Sequence, residues 1–159
     1  NIRTIVFRHS TIFGGRQFST FDQGWIGWFV EKAILKEKNP HTDSFSISGS
    51  GKQVRDILFT SDLISCYFSA VENIKTCCGE SYNIGGGVSN SLSLIELFDI
   101  LESELNVSLL HYKIPWRAND QKVFIADIRK AYSDFSWKPE VEKTEGIIKM
   151  IRWIKSIHE

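Results

Sequence analysis

The chain has 159 residues, and Lys+Arg and Asp+Glu balance at 19 each, so its formal charge is zero. That balance excludes the basic footprint of a nucleic-acid-binding domain and the polybasic patch of a membrane-surface protein. The length suits one domain with a buried core, and five Trp among 13% aromatics favour a filled core or an aromatic-lined cleft.

The first residues, Asn1-Ile2-Arg3-Thr4-Ile5-Val6-Phe7-Arg8, read directly as a strand with neither methionine nor leader, as in a polypeptide entered part-way. Ile2 to Arg8 is a β-branched apolar run and predicts a buried, parallel strand. Ser10 to Gln17, with Gly14-Gly15, reads as a loop. Asp22 is placed to cap a helix carrying Trp25, Ile26, Trp28, Phe29 and Ala33, with both tryptophans in its core face and its end near Lys36 to Pro40. Ser44 to Ser48 and Val54 to Phe59 read as strands flanking a turn at Gly49–Gly51. Thr60 or Ser61 then caps a helix from Asp62 to about Asn73. A short strand at Ser81 to Ile84 closes on Gly85-Gly86-Gly87. Ser93-Leu94-Ile95-Glu96 is a capping box, and Leu94, Leu97, Phe98, Leu101 and Leu105 follow at helical spacing. Leu109 to Ile114 is a further strand, Asp127 to Ala131 a short helix, and Glu145 to Ile157 an amphipathic last helix. This irregular alternation predicts an α/β fold with mixed pairing. There is no internal repeat, and no apolar run approaches a membrane span.

The titratable residues narrow the chemistry. Cys66, Cys77 and Cys78 are odd in number and two are adjacent, which suits reduced thiols in a cytoplasmic protein. His9, His41, His111 and His158 are scattered, and no zinc spacing exists. Ser50-Gly51-Lys52-Gln53 fails as a phosphate-binding loop, because Ser46 and Gln53 stand where glycine and a hydroxyl residue are required. Gly85-Gly86-Gly87 does not complete a dinucleotide fingerprint, since Asn90 occupies the last glycine position. No Tyr-x-x-x-Lys pair occurs, and no nucleophile or general base stands out. Arg55 lies inside an apolar strand, where an unpaired guanidinium is costly. Two readings remain open for it: a structural pair with the adjacent Asp56, or a fork on phosphate oxygens. Arg117 with Asp120 is likewise either a solvated charged loop or a second clamp, with the carboxylate accepting from a ribose hydroxyl.

Taken in order, these pieces resemble the C-terminal half of the extended short-chain dehydrogenase/reductase family that acts on nucleotide sugars. The resemblance runs through Arg8-His9-Ser10-Thr11-Ile12-Phe13-Gly14, then Gly49 to Asp56, Thr60-Ser61-Asp62 and Tyr82-Asn83-Ile84-Gly85. It continues through Arg117 to Asp120, Asp127-Ile128-Arg129-Lys130-Ala131 and Phe135-Ser136-Trp137-Lys138-Pro139, and so covers essentially residues 1–159. Within the family, the runs Phe7 to Phe18, Asp22 to Phe29 and Asn90 to Leu94 are similar to the branch that epimerises CDP-linked deoxyhexoses at C2. The resemblance implies the C-terminal part of a Rossmann-type enzyme: one sheet strand plus a small mixed α/β substrate-binding domain. The NAD loop and the Tyr-x-x-x-Lys base would belong to an N-terminal half. Residues 1–159 would then hold no catalytic group of their own and show no activity alone.

The resemblance also implies roles. His9 and Ser10 would lie against the nicotinamide end of NAD, and Thr11 would face the sugar or diphosphate. Gln23 to Trp25 would bring a helix N-terminus to the diphosphate, and the backbone of Ser46 to Ser48 would meet the pyrimidine edge. Arg55 and Arg117 would hold the diphosphate of a CDP-hexose, and Asp120 a ribose hydroxyl. No metal, nucleic acid or membrane partner is implied, and the whole enzyme would be a cytoplasmic homo-oligomer. Rivals are a 4-epimerase or 4,6-dehydratase with the same clamps, or a non-catalytic sugar-nucleotide-binding module.

Overall fold

A computed structural model describes residues 2–20 and 23–158. The expected cap Asp22 lies outside the described residues. The first strand, β1 (Val6–His9), pairs in parallel with β5 (Ser81–Ile84), in register Val6 with Ser81 through His9 with Ile84. The pairing is parallel as expected, but burial is not: Val6 is 56% exposed. The reason is its place at the sheet's edge, where among the described residues β1 has a partner on one side only.

The second sheet is built around β4 (Val54–Phe59). Its C-terminal half pairs in parallel with β2 (Thr11–Phe13), which occupies the predicted loop. Its N-terminal half pairs antiparallel with β6 (Ser91–Ser93) and in parallel with β8 (Val123–Phe124). The third sheet is β3 (Phe45–Ser48) with β7 (His111–Ile114). Strands β3 and β4 therefore flank the glycine turn without pairing with each other. Gly49 and Gly51 take the left-handed region there, with φ 72° and 76°, and a side chain at 49 would strike the Trp116 ring.

Helices cover these sheets. α1 (Trp25–Lys38), α4 (Leu94–Leu105) and α6 (Lys143–Ile157) pack together over one core that includes Phe13, Ile26, Val30, Leu97, Leu101 and Met150. Burying each such side chain contributes about 1.5–3 kcal/mol. α4 begins with the expected reciprocal capping box between Ser93 and Glu96. A second core joins α2 (Thr60–Glu72), α3 (Ile74–Cys77) and α5 (Arg129–Phe135) through Leu58, Cys66, Ala70, Tyr82, Ile84 and Trp137.

α2 departs from expectation at its start. Neither Thr60 nor Ser61 caps it; Phe59 precedes its first turn, with no side-chain cap. Asp62 instead turns its buried carboxylate to the backbone N–H groups of Glu140 and Val141, at 3.1 and 3.0 Å. The outer face of α2 carries Ile64, Tyr67, Phe68 and Val71, all exposed, at i, i+3, i+4 and i+7. No helix among the described residues is long and apolar enough to cross a membrane.

Candidate functional site

A cavity of about 230 Å³ opens between the second and third sheets and the start of α1. Its aromatic wall is Trp25, Trp28 and Phe29; Gly24 marks the N-terminus of the same helix. Ser46, Ile47 and Ser48 of β3 form a second wall. Gln53 and Arg55 enter from β4, and Arg117 and Asp120 from the loop after β7. Six of the residues expected at a site thus converge: Trp25, Ser46, Ser48, Arg55, Arg117 and Asp120. The two tryptophans read as core do both jobs, being half-buried against the apolar cluster while lining the cavity.

Each wall follows from local chain geometry. Gly24 sits in the left-handed region (φ 72°, ψ 50°) and offers no side-chain cap, so the first-turn N–H groups of α1 lack a side-chain cap at the end where Gly24 and Trp25 line the cavity. In β3, Phe45 N–H donates to Leu110 C=O and Gly49 N–H to Ile114 C=O. Alternation then turns the backbone groups of Ser46 and Ser48 to the opposite edge, which pairs with no strand among the described residues. The Ser48 carbonyl accepts from Gln53 Nε2 at 3.0 Å.

Arg55 is not paired with Asp56, the internal partner expected for it. Its Nη2 donates to Asp120 Oδ1 at 2.7 Å and its Nη1 to the Val54 carbonyl at 2.8 Å. Asp56 cannot serve it, because successive strand residues face opposite ways. Arg55 looks into the cavity, whereas Asp56 is fully buried on the other side. The ion pair stays partly wet, with side chains 21% and 20% exposed, so its main effect is to orient the fork rather than to stabilise the fold. The two candidate clamps are thereby one assembly: the carboxylate read as Arg117's companion is the one that steadies Arg55.

Four expected residues lie elsewhere. His9 Nε2 is 2.9 Å from the Tyr67 hydroxyl, and burial holds its imidazole below the usual value. The Ser10 hydroxyl donates to the Asp56 carbonyl at 3.0 Å and to its carboxylate. Thr11 is paired with Ile57 within the sheet, and Gln23 is exposed in a bridge with Thr20. None of the four lines the cavity. Sequence reasoning missed Gln53, which lies just before β4, two residues ahead of Arg55, and lines the same cavity. Trp28, Phe29 and Ile114 carried no signal beyond ordinary apolar spacing.

The thiols add no reactive group to the site. Burial and the neighbouring Cys77 push the Cys66 thiol up to about 12, far from the thiolate range. No cluster of His, Cys, Asp or Glu among the described residues could hold a metal.

Residues 1–85 match the profile of the NAD dependent epimerase/dehydratase family. The chain belongs to that family. It is 49% identical over 156 residues to a CDP-paratose 2-epimerase of Salmonella typhi, covering 98% of this chain and 46% of the relative. Its fold is similar to the crystal structure of UDP-glucose 4-epimerase with UDP-glucose from Thermotoga maritima (TM-score 0.84, 25% identity, 97% of this chain and 46% of the other). It is also similar to UDP-glucuronic acid 4-epimerase from Bacillus cereus in complex with UDP-glucuronic acid and NAD (TM-score 0.82, 25% identity, 96% of this chain and 45% of the other). The chain thus spans about half the length of the family members it matches. The expected fold class holds, α/β and similar to Rossmann-type epimerases, with one difference: the first sheet has two strands, β1 and β5, where one was expected, because β5 supplies β1 with a parallel partner.

Proposed function

We propose that residues 1–159 form the nucleotide-sugar-binding part of an NAD-dependent nucleotide-sugar epimerase, acting on a CDP-hexose by inverting C2. The observation that carries this reading is the convergence of Arg55, Arg117 and Asp120 on one cavity beside the open edge of β3. Two guanidinium forks suit the oxygens of a diphosphate, and the uncapped N-terminus of α1 favours the same charge. The backbone groups of Ser46 and Ser48 suit the hydrogen-bonding edge of a pyrimidine, and Trp25 and Trp28 give the nucleoside an apolar wall. Asp120 accepts from a ribose hydroxyl while its other oxygen keeps Arg55 aligned.

NAD, when bound, would supply reversible hydride transfer with C2 of the sugar. This chain offers that cofactor little: the Ser10 hydroxyl is committed to Asp56 and His9 Nε2 to Tyr67. His9 and Ser10 would therefore border the nicotinamide rather than grip it, and an N-terminal half would supply the rest. The arginines hold the diphosphate while the sugar turns between oxidation and reduction, so the intermediate stays tethered during its rotation.

The full-length protein should turn over CDP-paratose and leave UDP-glucose unchanged in a product assay. Turnover of UDP-glucose alone would replace the reading with a 4-epimerase using the same clamps, the reading that the similarity to the Thermotoga maritima enzyme favours. Tight CDP binding by a full-length protein that turns over neither sugar would make it a non-catalytic binding module. The whole enzyme is proposed to be a homo-oligomer in the cytoplasm, which sedimentation and fractionation test.

A further inference from the structure

Asp56 is fully buried, and backbone and hydroxyl donors hold its carboxylate. The donors come from three separate stretches: the Ser10 hydroxyl between β1 and β2, Gly87 N–H after β5 at 3.2 Å, and Ala126 N–H after β8 at 3.2 Å. The glycines after β5 leave no room for side chains here. A Cβ at Gly85 would lie 2.1 Å from Asp56 Oδ2, 2.8 Å from Ala126 Cβ and 3.0 Å from Ser10 Cβ. A Cβ at Gly86 would lie 2.0 Å from the Ile57 carbonyl oxygen. In the triple glycine that failed as a dinucleotide fingerprint, Gly85 is thus required by the close approach to this carboxylate and Gly86 by the close approach to the backbone of β4.

The position of these donors gives the knot a meaning beyond packing. Ala126 closes the stretch that carries Arg117 and Asp120 into the cavity. That stretch is sewn to β4 by Val54 N–H to the Lys122 carbonyl at 2.9 Å, by the β4–β8 pairing, and by Asp56. Ser10 follows His9 at the opposite end, on the strand assigned above to the cofactor side. We infer that Asp56 is a positioning residue that holds the diphosphate-clamp loop and the Ser10 junction in fixed register on the back of β4, so that Arg55 on the front meets Asp120 and the ligand. This rests on the nucleotide-sugar reading of the cavity.

The test uses the full-length protein and two probes, CDP and cytidine. In Asp56→Asn one oxygen becomes an NH₂ that faces N–H donors. We expect CDP to bind about tenfold more weakly, the scale of one lost charge-assisted hydrogen bond, while cytidine, which meets the same loop only through Asp120, weakens by a smaller factor of about twofold to threefold. Amides at Ala126 and along 117–122 should exchange about tenfold faster. Because Asp56→Asn can fail to fold, Ser10→Ala provides a second arm. It removes one donor outside the cavity and should still weaken CDP binding by about twofold to fivefold. Equal loss of CDP and cytidine, or unchanged exchange along 117–122, would overturn the inference and leave Asp56 a plain packing group. Unchanged CDP affinity in Ser10→Ala would do the same. Wild-type protein that binds neither CDP nor UDP would remove the nucleotide-sugar reading itself, and this inference with it; the exchange data would then report only the knot.

Discussion

Arg55 and Asp120 are 65 residues apart in sequence and 2.7 Å apart in space. An arginine inside an apolar strand announces itself in the sequence, because so costly a group needs a partner. The partner's identity was not legible. Asp56 stands next in the chain, and only the alternation of a strand sends it to the other face. Asp120 sits in a loop whose return to β4 depends on pairing of the two-residue β8, too short to leave a periodic trace. His9 and Ser10 are assigned to the cofactor by resemblance alone, and their internal partners, Tyr67 and Asp56, are set by tertiary contacts that no local pattern encodes. At this scale the decisive variant is Arg55→Ala. It should weaken CDP binding to the full-length protein by about 1.5–3 kcal/mol in titration calorimetry, the worth of a hydrogen bond to a charged group. An unchanged dissociation constant in a folded variant would count against the clamp.

Among elements, α4 shows why some were plain in the sequence and others were not. Its stripe from Leu94 to Leu105 repeats at helical spacing, and Ser93 and Glu96 satisfy each other's termini: Ser93 N–H donates to Glu96 Oε2 at 2.6 Å and Glu96 N–H to Ser93 Oγ at 3.3 Å. β2 and β6, of three residues each, have no room for a period-two signal and exist because β4 offers them an edge. Ser93→Ala should cost about 1 kcal/mol, the usual value of such a cap, read as a lower melting temperature. The bonds from Ser93 hold the Glu96 carboxyl below its ordinary value. A carboxyl so held binds protons less readily folded than unfolded, so its contribution is full above the ordinary glutamate range and disappears as pH falls through the lowered value. The deficit of Glu96→Gln against wild type should therefore be largest near neutral pH and shrink in acid; a deficit growing in acid would contradict this account.

For the molecule as a whole, the apolar surface is unevenly covered. The row Ile64, Tyr67, Phe68 and Val71 on α2 reaches β1 through the Tyr67–Phe7 ring contact at 5.1 Å, beside the strand's open edge. Exposed apolar rows and open parallel edges favour association. The 159-residue chain should therefore self-associate in sedimentation velocity and show no epimerase turnover, and Phe68→Glu should reduce the association. A monodisperse monomer, or measurable turnover by this chain, would contradict both expectations. One six-residue strand ties this molecule together: β4 shows a guanidinium to the cavity and a carboxylate to the interior from neighbouring positions. Slipping that strand by a single residue would exchange the two, sinking the cation into a nest of N–H donors and leaving the anion where phosphates should dock. Alignment errors there are self-punishing, so the short run between the glycine turn and Arg55 tolerates substitutions far better than it tolerates a changed count.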